Sequence, residues 1–468
     1  LIVLGNKNRN SRAVLAMASV AVVGVVVSGC ARSASDTEAT SGGSTSSTSN
    51  TAAPATSSAS AAVAGDFGTV KNVCAPGSAT GGSARGVSGN TIRIGVPADP
   101  GSTATPGLGQ EFFDVADAFT KWCNAAGGIN GRKIVVDKLD AKLFNVGQEM
   151  IQACQKDFML VGGGNALDAP GVQPRLSCKL GEIPGYTVSP EATNAGLQVG
   201  PTASTPLHYE AGVLRLLADA YPASKQGLGI AGSSLASLTP QGLRAQEAWT
   251  RLGYKVTTVQ PRPALVDNYN SWMQQFKSAN AQADFEITGT NAQPILTAIN
   301  DTGFKPSFLL FGQSVYNNKT VQAAKQIGSI PPSYINLTNV PWELSDQFPT
   351  VAQAKKIMDS SFTNPDLDAF SALGFNAWLL WAQSATACGN NLTQDCVLQK
   401  AGSHTDWTAG DWFGATNTQP GLHDYTDCLV LMKLTANGWV YAKDVTKPNN
   451  GVFNCSPENL MAVKSYGG

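Results

Sequence analysis

The alternation of apolar and polar positions becomes regular at Thr91. In TIRIGVPA, Ile92, Ile94 and Val96 share one face at a spacing of two, which predicts a strand. The following stretch QEFFDVADAFTKWCNAAGG places Phe112, Val115, Phe119 and Trp122 at helical spacing. That helix runs into NAAGGINGRKI. Gly127 or Gly128 can close it, since glycine takes a positive φ without steric cost. Asn130-Gly131 is a turn dipeptide, and RKIVVDKLD then reads as a strand with β-branched residues at its centre.

The alternation continues with a helix over 147–156, strand FMLVGGG, helix GVQPRLSCKLG and strand IPGYTVS. A second round follows VGPTAST. Helix PLHYEAGVLRLLADAYP leads to strand GLGIAG, helix TPQGLRAQEAWTRLG to strand YKVTTVQ, and helix NYNSWMQQFKSAN to strand DFEITGT. Helix QPILTAINDTG and strand SFLLFGQ complete it. Strands alternating with helices predict parallel sheets, so the chain reads as two α/β lobes of similar size. The tail differs: a long apolar helix, DAFSALGFNAWLLWAQSATACG, precedes CLVLMKLTANGWVYAKD, a hairpin turning at Ala436-Asn437-Gly438. Such a tail suggests that the chain revisits both lobes. The expected division is 66–205 with 343–413 in one lobe, and 206–342 with 414–468 in the other.

The first 65 residues follow other rules. Lys7, Arg9 and Arg12 precede the apolar run 13–27, which is short for a spanning helix and suits a signal-peptide core over 1–29. It ends in Val27-Ser28-Gly29-Cys30, which resembles the bacterial lipobox, so Cys30 is expected to carry lipid and tie the protein to the membrane. Residues 30–65 are almost wholly Ser, Thr, Ala and Gly, too polar to offset their chain entropy, and are expected to form a disordered tether. At about 5–6 Å × √n, its reach is roughly 30–35 Å.

Composition narrows the function. The formal net charge of −1 offers no basic stripe for nucleic acid. His208, His404 and His423 have no metal-ligand spacing, so neither a metal nor a cofactor is expected. Besides Cys30 there are Cys74, Cys123, Cys154, Cys178, Cys388, Cys396, Cys428 and Cys455, an even set that suggests disulfides in an exported protein. Eight cysteines allow 105 connectivities, and sequence alone does not select one. A sequence-local scheme is the working expectation: Cys74–Cys123, Cys154–Cys178, Cys388–Cys396 and Cys428–Cys455.

The strand, the helix and the phrase NAAGGINGR, within a lipidated two-lobe α/β chain, resemble the start of a type I periplasmic binding protein. FMLVGGGN, TVSPEAT and INDTGFKPSFLLFGQ extend the resemblance to the branched-chain amino-acid-binding family of ABC-transporter receptors, over residues 91–444. The resemblance implies two doubly wound Rossmann-like lobes joined by crossovers, with a small ligand between them. It also implies an extracytoplasmic, monomeric partner of an ABC permease with its separate ATPase subunit.

In relatives, loops after the third and fourth strands offer hydroxyls and backbone N–H groups to a ligand carboxylate. The positions matching them are Gly164, Asn165, Ser189, Glu191, Ala192 and Thr193. From the second lobe the matches are Thr239, Asn291 and Gln313, with Tyr316 nearby. Gln313 stands where relatives usually hold the ligand ammonium with an acid. The covering tyrosines of relatives align with Thr239 and with Thr290 or Asn291. Binding is therefore expected, for an amino acid, an amide or a similar small acid. Asn165 and Asn291 have a second reading as helix caps, and Ser189 as a loop satisfier.

Catalysis finds no constellation. FGQSVY breaks the Gly-x-Ser-x-Gly pattern at Tyr316, and no phosphate-binding Gly-x-x-x-x-Gly-Lys loop is present. The alternative to transport is a sensing lipoprotein that reports ligand to a membrane receptor.

Overall fold

The computed structural model describes residues 65–82, 84–202, 207–233, 238–262, 269–286, 291–420 and 426–466, all within one compact unit. The expected signal peptide, Cys30 and nearly all of the tether lie outside the described residues, as does Thr290. The first α/β round runs β1 (Thr91–Ala98), α1 (Gln110–Ala125), β2 (Lys133–Asp140), α2 (Val146–Lys156), β3 (Met159–Val161), α3 (Ala169–Ser177), β4 (Gly181–Ile183) and α4 (Pro190–Thr193). Its strands form one parallel sheet in the order β2-β1-β3-β4.

The second round opens with β5 (His208–Glu210) and α5 (Ala211–Ala220). It continues through β6 (Leu228–Ser233), α6 (Thr239–Arg251), β7 (Val256–Arg262), α7 (Asn270–Ser278), β8 (Ala283–Glu286), α8 (Gln293–Thr302), β9 (Phe308–Phe311), α9 (Asn318–Ile327) and β10 (Ser333–Leu337). Then come α10 (Pro349–Asp359), α11 (Ala369–Cys388), α12 (Gln394–Ala401), β11 (Cys428–Thr435), β12 (Gly438–Tyr441), α13 (Lys443–Thr446), β13 (Asn454–Cys455) and β14 (Leu460–Ala462). The second sheet has the order β12-β11-β10-β9-β8-β6-β7, with β13 on β11. It is parallel from β7 to β10, and β11 and β12 are added antiparallel as the expected hairpin.

The phrase 124–134 shows why these residues fold as they do. Helix α1 ends in a Schellman arrangement: the Gly128 N–H donates to the Cys123 carbonyl at 2.8 Å, and Gly127 takes φ 113°. Asn130 and Gly131 both have positive φ, so Ile129–Arg132 closes as a type I′ turn. Its side chains then reach far along the chain. Asn130 Nδ2 donates to the Thr386 carbonyl at 2.8 Å, and the fully buried Arg132 donates to the carbonyls of Gly81 and Gly389. The turn therefore fastens the end of α11 against the first sheet.

Helix α11 is apolar on all sides because it is covered on all sides. It packs on α1, α12, β3 and β4, with Trp378, Leu379, Leu380 and Trp381 fully buried. Each such side chain stabilises the fold by roughly 1.5–3 kcal/mol or somewhat more. Asp368 starts the helix with a capping box shared with Ser371. The tail thus returns to the first sheet with α10 and α11, and to the second with β11 and β12.

Two expected elements are different. The strand predicted over 183–189 lies instead at Gly181–Ile183, where it pairs with β3, and 184–189 is a loop that ends at the Ser189 cap of α4. The helix predicted from Pro206 begins only at Ala211, because His208–Glu210 pair antiparallel with β14. That partner lies some 250 residues away, where no local pattern signals it. Four disulfides join Cys74–Cys123, Cys154–Cys178, Cys388–Cys396 and Cys428–Cys455, the pairs of the sequence-local scheme.

Candidate functional site

Ligands of open parallel sheets bind beyond the carboxyl ends of the strands. In the first sheet those ends are the loops 99–109, 141–145, 162–168 and 184–189. Three glycines follow β3 because side chains and backbone press on them. A Cβ on Gly162 (φ 73°) would overlap Trp378, and one on Gly164 would overlap the ring and carbonyl of Tyr186. Gly164 is buried, its N–H bonded to the Pro97 carbonyl at 2.9 Å. Its place in the structure is to let Tyr186 lie against the loop.

Asn165 is 3% exposed, and its amide donates to the Ala98 carbonyl and to Asp99 Oδ1, both at 3.1 Å. Asp99, also buried, accepts the N–H groups of Leu143 at 2.8 Å and Ala166 at 2.9 Å. One carboxylate thus holds the loops after β2 and β3 to the end of β1. Burial raises its pKa, against the pull of those hydrogen bonds.

A second acid does the same for the next loop. Asp168 accepts the N–H of Val188 at 2.6 Å and of Ser189 at 3.0 Å, and burial pushes its pKa up to about 6. Ser189, 1% exposed, accepts the Ala192 N–H at 3.1 Å and so caps α4. Ala192 is buried and Glu191 exposed, while the half-buried Thr193 shares a hydrogen bond with the Thr187 hydroxyl at 3.1 Å.

Sequence reasoning missed Tyr186. Its ring stacks on Phe112 at 5.9 Å and meets Phe370 of α11 at 5.2 Å. Burial, with Asp168 and Asp99 nearby, raises its hydroxyl pKa far above the ordinary value. Together with Gly164, Asn165, Asp168, Thr187 and Ala192 it lines a recess of about 380 Å³, counted out to its open mouth. The signal available in the sequence was a tyrosine between glycine and threonine at a strand end.

In the second sheet Thr239 is exposed as the first residue of α6. Asn291 is exposed and accepts the Gln293 N–H at 3.0 Å in a turn just before α8, which has no side-chain cap. Gln313 is half-buried and opens a 3₁₀ turn after β9. Tyr316 is 1% exposed: it donates to Glu343, accepts the Trp342 N–H at 3.1 Å and packs edge-on against Trp439. It is a core residue in this conformation. The structure therefore gathers Gly164, Asn165, Ser189, Glu191, Ala192 and Thr193 at one sheet end, and Thr239, Asn291 and Gln313 at the ends of the other. Among the described residues, no three His, Cys, Asp or Glu side chains are placed to hold a metal ion.

Two parallel sheets with ligand-type loops at their carboxyl ends, stitched by a tail that returns to each, define the type I periplasmic binding architecture. The chain belongs to the periplasmic binding protein family, whose model matches residues 183–438. This is a family of extracytoplasmic solute-binding proteins of ABC transporters, and not of enzymes. No curated protein matches the sequence. Among solved structures, the fatty acid ABC transporter substrate-binding protein from Thermomonospora curvata is 15% identical, with a TM-score of 0.63 over 81% of this chain and 96% of its own. The branched-chain amino acid transporter substrate-binding protein LivJ from Streptococcus pneumoniae, in complex with isoleucine, is 15% identical, with 0.59 over 75% and 100%. An ABC-transporter solute-binding protein from Rhodopseudomonas palustris, in complex with 3,4-dihydroxybenzoic acid, is 13% identical, with 0.60 over 75% and 95%.

Proposed function

We propose that this protein is a membrane-tethered receptor that captures a small polar ligand between two lobes and delivers it to an ABC importer. The lobes are 66–205 with 343–413, and 206–342 with 414–468. The observation that carries the reading is the placing of candidate contact loops at the carboxyl ends of both parallel sheets. Lipid on Cys30 and the polar tether would hold the lobes near the membrane and free to move.

Solved neighbours of this fold bind a fatty acid, isoleucine and a dihydroxybenzoic acid, so the scaffold does not choose the ligand; the side chains at the strand ends do. A thermal-shift screen over amino acids, amides, ureas and aromatic acids tests the reading, because a cleft ligand stabilises by RT ln(1 + [L]/Kd). A hit that compacts the protein supports it, and a hit that is turned over sinks it. A Cys30→Ala protein should fold yet leave the detergent phase; equal membrane retention would refute the anchor.

A further inference from the structure

The first two residues of α9, Asn318 and Lys319, meet acids carried by elements of the other sheet. Asp366, half-buried in the segment before α11, accepts the Asn318 side-chain amide at 3.0 Å. Helix α9 packs against β11 and β12, whereas α11 packs against α1, β3 and β4, so this bond joins the two sheet systems. It also serves the helix. The N-terminus of a helix is its positive end and favours a carboxylate, yet the first turn of α9 holds no acid of its own and its cap, Asn317, is neutral. Asp366 supplies that charge. Burial raises the pKa values of Asp366 and of Glu111 on α1, and Lys319 draws both down. The other charged groups here are Asp114, faced by Lys138 and Gln110, and the buried Asp368.

The same segment reaches both candidate contact surfaces. On one side is the turn that Gln313 opens. Tyr316 donates to Glu343 and accepts the Trp342 N–H, and Asn317 Nδ2 donates to the Ser314 carbonyl at 3.0 Å. Trp342 in turn donates its indole N–H to the Asp368 carbonyl at 2.9 Å, and α11 lies against the turn 313–315. The Gln313 turn is therefore fastened to the start of α11 as well as to its own sheet. On the other side is Phe370, in the first turn of α11. It is buried and meets the rings of Tyr186 at 5.2 Å and Phe112 at 5.1 Å. Tyr186 lines the recess of the first sheet. Between the two sides, the capping box of Asp368 and Ser371 fixes the shape of the segment.

Building on the receptor reading, we infer that residues 366–370 couple the two contact surfaces, and that Asp366 is a positioning residue that sets where Gln313 stands relative to Tyr186. A ligand that moves either residue then acts on the same short stretch of chain.

The test is hydrogen–deuterium exchange of the ligand-free protein. Asp366→Ala should raise exchange over 313–320 about tenfold and leave α8 and the middle of α11 protected. Asn318→Ala, made from the other side of the bond, should do the same. Asp366→Asn should restore much of the protection, because its amide oxygen still accepts the Asn318 amide. Phe370→Leu should raise exchange at both 184–193 and 313–320. No change at 313–320 in Asp366→Ala, or exchange raised equally along the whole chain, would overturn the positioning role. A Phe370→Leu effect confined to 184–193 would overturn the coupling. Both results would leave the receptor reading intact. A ligand screen without hits would instead sink the receptor reading, and with it the role given to Gln313, even where the exchange pattern is as expected.

Discussion

Asp284 and Glu286 stand two apart on β8, so their carboxyls leave the same face of this interior strand, and both are fully buried. The residues beside them in register are Gly229 and Ala231 on β6 and Leu309 and Phe311 on β9, an apolar setting. Burial raises the Asp284 pKa from 3.8 to about 7, with hydrogen bonds to Glu286 and the Phe285 N–H acting the other way. An acid whose folded pKa lies above its unfolded one binds a proton more tightly when folded. Its stabilising contribution is full below pH 3.8, declines as pH rises, and is gone above about 7. Asp284→Asn should therefore lose less stability than wild type between about pH 4 and about pH 7, read as urea midpoints. Identical slopes in the two proteins would refute the assignment. Residues of this kind were hard to see in the sequence, and the same holds at the site. Asn165, read as a helix cap, instead donates to Asp99 and the Ala98 carbonyl, whereas Ser189 was legible as a loop satisfier, because it answers an N–H three residues on. Asp99 and Asp168 were not, because the N–H groups they hold lie 20 to 67 residues away.

The elements were legible where their logic is local. Gly127, Gly128 and Asn130-Gly131 announce a helix end and a tight turn, and the uncharged, mostly apolar 369–388 announces a helix covered on every side. Only the β5–β14 pairing, which depends on the far end of the chain, replaced a predicted helical turn by a strand. The disulfides belong to the same local logic, since each joins neighbouring stretches of chain. They differ in what they constrain. Cys74–Cys123 spans 49 residues and pins the segment before β1 to α1, whereas Cys388–Cys396 spans 8 between α11 and α12. Loop-closure entropy then assigns about 4 kcal/mol to the first and about 2.5 kcal/mol to the second. Paired alanine substitutions at Cys74 and Cys123 should lower the denaturation midpoint more than the same change at Cys388 and Cys396. The reverse order would show that native-state contacts, and not chain entropy, govern these links.

At the scale of the whole molecule, the two sheet systems are connected where the chain passes between them. Near the end of β10 the chain pairs with the segment after α12: Val340 donates to the Trp412 carbonyl and Gly414 to the Thr338 carbonyl, both at 2.8 Å. Trp342 and Trp412 pack edge-to-face there at 4.8 Å, giving a narrow apolar junction. Asn318 of α9 also donates to Asp366 at 3.0 Å, before α11 begins. A junction where the chain passes between the two sheets suits hinge motion, the switching mode of this architecture. Ligand can shift the hinge only through contacts made better in the closed state, so both sides must contribute. Thr193 on one side and Gln313 on the other, both half-buried, are the residues proposed to do so. Small-angle scattering should show a smaller radius of gyration with a screened ligand than without. Thr193→Ala and Gln313→Ala should each weaken binding by about 1–3 kcal/mol, the range for a buried hydrogen bond left unpaired. If only one of them mattered, or if binding came without compaction, the ligand would sit on a single lobe and closure would not be its consequence.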